Sequence, residues 1–94
     1  MILSFKDKRT KAFAQGDFVK AFSGFEVQAE RRLAILNAAP SLDTLRALPG
    51  NRLEALRGDR AGQYSIRVNQ QWRICFEWPE GEAGPSNVEI VDYH

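Results

Sequence analysis

The chain has 94 residues, with 13 Lys+Arg against 12 Asp+Glu, one His, one Cys, 44% hydrophobic and 27% charged residues. This is the size of one small domain, spanning 1–94, with enough apolar side chain for a single core, which argues against disorder. One Cys cannot form an internal disulfide, and one Cys with one His cannot enclose a structural zinc.

No apolar run approaches the roughly 20 residues needed to cross a bilayer. The opening Met1-Ile-Leu-Ser-Phe-Lys also lacks the charged-then-apolar order of a signal peptide. The expectation is a cytoplasmic protein without a membrane partner. Net charge is only +1, but its distribution is uneven: residues 1–45, 46–73 and 74–94 carry +2, +4 and −5. The middle block holds six arginines and no lysine. Guanidinium forks match phosphate oxygens, so this block favours a phosphate-bearing partner over a merely solvated face.

In chain order, Ile2–Phe5 predicts a short strand ended by the cluster Lys6-Asp7-Lys8-Arg9, and Thr10–Gln15 a short helix stopped by Gly16. After Ser23-Gly24, Phe25, Ala29, Leu33 and Leu36 recur at helical spacing. Pro40 ends that helix, and Ser41 can cap another over Leu42–Ala47. Beyond Pro49-Gly50 the period falls to two. Leu53–Leu56 predicts a strand running into a turn at Gly58-Asp59. Gln63–Val68 and Trp72–Trp78 predict a hairpin closed by Asn69-Gln70-Gln71, and Asn87–Tyr93 a last strand. The resulting class is α+β, with the helices on one face of a mostly antiparallel sheet.

Alternation places Tyr64, Ile66, Val68, Trp72, Ile74, Phe76 and Trp78 under the helices. Ser65, Arg67, Arg73, Cys75 and Glu77 then share the other face. Arg67 and Arg73 meet across the hairpin, where like charges repel unless an anion visits. Cys75 reads as a small packed residue rather than a nucleophile.

The run Gly50-Asn-Arg-Leu-Glu-Ala-Leu-Arg-Gly-Asp-Arg through Trp72-Arg-Ile-Cys-Phe, with the ending Val91-Asp-Tyr-His, resembles the HigB toxins of the RelE-like superfamily over essentially the whole chain. That resemblance implies a RelE-like fold and the toxin of a type II toxin–antitoxin system. It further implies an endoribonuclease that cuts messenger RNA in the ribosomal decoding site without a metal or other cofactor. The 2′-OH would attack the adjacent phosphate. The implied partners are a helix-turn-helix antitoxin of the HigA type, the ribosome and its mRNA, and operator DNA only through the antitoxin.

Carried onto this sequence, the family pattern assigns the scissile phosphate to Arg73, assisted by Arg57. Asp92, Tyr93 and His94 stand at its C-terminal catalytic positions. His94 is a candidate proton donor or base-contacting group, and Tyr93 a candidate stacking platform or a core aromatic. Glu54 stands where some members carry His, either as a base or as a partner of Arg57 or Arg52. Arg52, Arg60 and Arg67 are candidates for RNA phosphate contacts, as are Lys6, Lys8, Arg9 and Lys11 for ribosomal RNA. The competing reading is a weak or inactive RelE-like module that binds its antitoxin and tunes operon repression.

Overall fold

A computed structural model describes residues 1–93. Its elements are α1 (Lys8–Ala14), α2 (Glu26–Ala38), α3 (Leu42–Arg46), β1 (Glu54–Ala55), β2 (Gln63–Arg67), β3 (Trp72–Glu77) and β4 (Ser86–Asp92), with single 3-10 turns at Lys20–Phe22, Pro49–Asn51 and Gly58–Arg60. The strands form one antiparallel sheet in the order β1-β2-β3-β4. The fold is α+β, as the change of period indicates.

The helical stripe of α2 is buried as its spacing requires: Ala29, Leu33 and Leu36 face inward. Ser41 caps α3 by accepting the Thr44 N–H at 3.3 Å. Ile66, Val68, Ile74, Phe76 and Trp78 from the hairpin join Val88 and Ile90 in the core, and Tyr64 and Trp72 pack at its margin. Phe22 and Phe25 meet Trp72 with ring centroids 5.8 and 4.9 Å apart, joining the helical layer to the start of β3.

Three elements depart from the sequence expectation. The N-terminal strand is reduced to one parallel bridge between Phe5 and Val88. The segment still runs beside β4, because Leu3 N–H donates to Pro85 O, Lys6 N–H to Val88 O, and Val88 N–H to Ser4 O. Helix α1 begins at Lys8 rather than Thr10, so half of the basic cluster is helical. That earlier start places Thr10 at full burial, where Oγ1 accepts the Ile90 N–H at 3.0 Å. The strand expected over Leu53–Leu56 contracts to Glu54–Ala55, because Arg52 just ahead of it takes the left-handed conformation (φ 46°, ψ 54°).

Candidate functional site

Cross-strand register builds the site from a row of four residues. Glu54 pairs with Ser65, Ser65 with Cys75, and Cys75 with Glu89, all on the face turned away from the helices. The next row holds Arg67, Arg73 and Val91. Although it is turned away from the helices, the middle of this face is buried. Ser65 and Cys75 are 0% exposed and Arg73 is 9% exposed. Cover comes from the chain after β1: Arg60 reaches to β4, where Nη2 lies 3.5 Å from Glu89 Oε1, and its Nη1 donates to Gln63 Oε1 at 3.1 Å.

Arg73 is held by the protein itself. Its Nε donates to Ser65 Oγ at 2.7 Å, and its Nη2 donates to Arg52 O at 2.6 Å and to Ser65 O at 3.4 Å. Nη1 lies 3.9 Å from Glu54 Oε1, an ion pair too long to be a hydrogen bond. Arg67 is the direct cross-strand neighbour of Arg73, as predicted. Their repulsion is offset by backbone acceptors, since Arg67 Nε donates to Asn69 O at 3.1 Å. Arg52 contributes a main-chain carbonyl, while its side chain is exposed.

The other predicted residues are distributed differently. Arg57 leads into the Gly58–Arg60 turn with an exposed side chain that makes no hydrogen bond or ion pair within the described residues. Arg60 is engaged within the protein by Glu89 and Gln63, with a third of its side chain exposed. Lys6 Nζ reaches the same Glu89 at 3.2 Å, and Arg9 pairs with Asp7 and lies 5.2 Å from the Phe22 ring centroid.

Asp92 does not share a face with Arg73. It pairs in register with Trp72, on the helix-facing parity of β4, and Oδ2 accepts from Gln71 Nε2 at 2.9 Å. Tyr93 lies just past the end of β4, half-buried, and its N–H donates to Gln71 O at 2.9 Å. His94 lies outside the described residues.

Burial pushes the Cys75 thiol above its ordinary value of 9.0; nearby Arg60 opposes that shift and Glu89 adds to it. The thiol is therefore neutral and enclosed, in keeping with packing rather than nucleophilic chemistry. A hollow of about 420 Å³ opens among Ile2, Phe5, Phe13, Leu33 and Asn37, and none of the predicted site residues lines it. Sequence reasoning missed Ser65 and Glu89. The available signals were a serine inside a strand otherwise rich in strand formers, and an acid between Val88 and Ile90 on the Cys75 side of β4.

The architecture is that of a small RelE-type toxin fold. A YoeB/ParE toxin from Agrobacterium tumefaciens has the same fold, with a TM-score of 0.60 over 99% of this chain and 98% of that one, at 11% identity. Residues 3–94 match the family model for the RelE-like toxin of type II toxin-antitoxin system HigB. Toxin HigB-1 of Vibrio cholerae serotype O1 is 44% identical over 85 residues, covering 88% of this chain and 90% of that protein. Endoribonuclease HigB of Proteus vulgaris is 34% identical over 95 residues and spans both chains fully. The chain belongs to the HigB-like family, the toxins of type II toxin–antitoxin pairs, and its counterpart is an antitoxin. Among the described residues no helix is long and apolar enough to cross a membrane.

Proposed function

We propose that this protein is an endoribonuclease that cuts messenger RNA on the ribosome and so stops translation. The supporting observation is a buried guanidinium, immobilised by Ser65 and the Arg52 carbonyl, with Nη1 turned toward the carboxylate of Glu54. The name of the Proteus relative supports the reaction class. The reaction needs positive charge at the phosphorane, a base for the 2′-OH and a donor for the leaving 5′ oxygen.

Arg73 supplies the first through Nη1, and Arg57, exposed and unpaired, supplies further charge. Glu54 has 55% of its side chain exposed. With its carboxylate partner solvent-exposed and no hydrogen bond formed at this length, the pair is worth about 0–1 kcal/mol. A charge-assisted hydrogen bond from Nη1 to a phosphate oxygen is worth about 1.5–3 kcal/mol. An arriving phosphate therefore takes Nη1 from Glu54 and leaves the carboxylate beside the reacting group, free to accept the 2′-OH proton. Tyr93 stacks on a nucleobase and His94 donates the proton to the leaving oxygen. Arg52 and Arg67 contact neighbouring phosphates.

Asp92 belongs to the C-terminal catalytic group with Tyr93 and His94, and its carboxylate also ties the hairpin turn to the end of β4 through Gln71. One domain over 1–94 carries all of these parts. The protein works in the cytoplasm, where a HigA-type helix-turn-helix antitoxin restrains it and carries any operator contact. The test is induction of wild type and Arg73→Ala, with growth and the mapped ends of cleaved messengers as readouts. Arrest with in-frame cleavage by wild type alone is expected. Equal cleavage by both sinks the role of Arg73, and no arrest by wild type favours the antitoxin-binding module.

A further inference from the structure

We infer that Ser65 is a positioning residue for cleavage. Together with the left-handed main chain of Arg52, it spends one edge of the Arg73 guanidinium inside the protein and leaves Nη1 as its only substrate-facing amino group. This rests on the reading that Arg73 holds the scissile phosphate.

Arginine has five N–H donors and usually grips phosphate through two parallel ones. Here the edge formed by Nε and Nη2 is taken by Ser65 Oγ at 2.7 Å, Ser65 O at 3.4 Å and Arg52 O at 2.6 Å. Only Nη1 has no hydrogen-bond partner among the described residues, and it looks toward Glu54 at 3.9 Å. Arg73 thus presents one aimed amino group, with its two N–H donors, rather than the two-nitrogen fork.

Both supports are unusual for their places in the chain, which argues that they serve the arginine. Ser65 is fully buried in the middle of β2, a position where β-branched or aromatic residues are favoured. Its hydroxyl accepts from Arg73 Nε, whereas an apolar side chain there would leave Nε–H buried and unpaired. Arg52 holds φ 46°, a region that non-glycine residues seldom occupy, and its carbonyl accepts from Nη2. A long side chain in open solvent would have to give up its rotamer freedom when the phosphate arrives. This one is already fixed before substrate binds, which favours a defined attack geometry.

Two measurements test this. In the free wild-type protein, the Arg73 Nε–H, assigned by its absence in Arg73→Lys, should exchange with solvent at least about tenfold more slowly than that of exposed Arg31. Equal exchange in the wild-type protein overturns the inference. The second compares Ser65→Ala and Ser65→Thr for messenger cleavage by ribosomes programmed in vitro. Ser65→Ala should speed Arg73 Nε–H exchange and lower kcat by roughly 10²-fold with a far smaller change in KM. Ser65→Thr, which keeps the hydroxyl, should recover a large part of both. A folded Ser65→Ala protein with wild-type kcat refutes the positioning role. Should Arg73→Ala itself retain wild-type cleavage while Arg73 Nε–H is protected in the wild type, the phosphate-holding reading is what fails and the anchoring stands.

Discussion

Replacing Thr10 by valine isolates one buried hydrogen bond and predicts its cost. Thr10 and Ile90 are both 0% exposed, and the Ile90 N–H donates to Thr10 Oγ1 at 3.0 Å. The two side chains are isosteric, both are β-branched, and their helix propensities are close, so α1 should be unaffected locally. What changes is that the Ile90 N–H on the outer edge of β4 loses its acceptor in a place water does not reach. Leaving such a group unpaired costs about 1–3 kcal/mol. The added methyl returns up to about 0.8 kcal/mol of burial. The net expectation is a loss of about 1–2 kcal/mol. For a domain of this size each kcal/mol shifts Tm by about 4–8 °C, so Tm should fall by roughly 5–15 °C. Urea unfolding should show the same loss as a lower midpoint with an unchanged slope. Amide exchange should quicken first along 88–92, the strand that leads to Asp92 and Tyr93. A Thr10→Val protein as stable as wild type would refute the claim that α1 is latched to β4 through this bond.

The two arginines of the Arg57–Arg60 turn should separate by assay. Arg57→Ala removes an exposed, unpaired side chain, so its melting should stay within about 0.5 kcal/mol of wild type while cleavage falls by roughly 10²-fold or more. Arg60→Ala breaks the tie to Glu89 and Gln63 and should lower stability by about 1 kcal/mol. Indistinguishable melting curves for the two would contradict this division of roles. Cys75 predicts an alkaline effect: its folded-state pKa is raised by burial above 9.0, so the unfolded chain ionises first. Its contribution to stability is fully present below pH 9.0 and is lost as pH rises from there toward the folded-state pKa. Cys75→Ala should flatten the fall of stability with pH above 9.0, and an unchanged slope would count against the buried, neutral thiol.

Much of the architecture was legible from periodicity and turn chemistry. The α2 stripe, the Ser41 cap, the hairpin at Asn69–Gln71 and the core-facing alternation of β2 and β3 follow from rules acting over a few residues, and each appears in the fold. The α1 start and the length of β1 were misjudged because contacts distant in sequence decide them: Ile90 rewards burying Thr10, and Arg73 rewards a left-handed Arg52. The resemblance supplied the family, which the match over 3–94 bears out.

At the site, the amino-acid sequence by itself placed Arg67 and Arg73 opposite each other and concentrated arginine in the middle of a chain whose net charge is only +1. Register follows from the turn between two strands, so that pairing needed no coordinates. What only the tertiary structure decided is how those arginines are divided. Arg73 is buried and aimed by Ser65 and Arg52, Arg60 is spent on Glu89, Arg57 stays open to solvent, and Asp92 turns to the other parity of β4. Six arginines look alike in sequence because charge is a property of the residue. Donor saturation and burial belong to the neighbours, and those come from strands and turns up to 29 residues away.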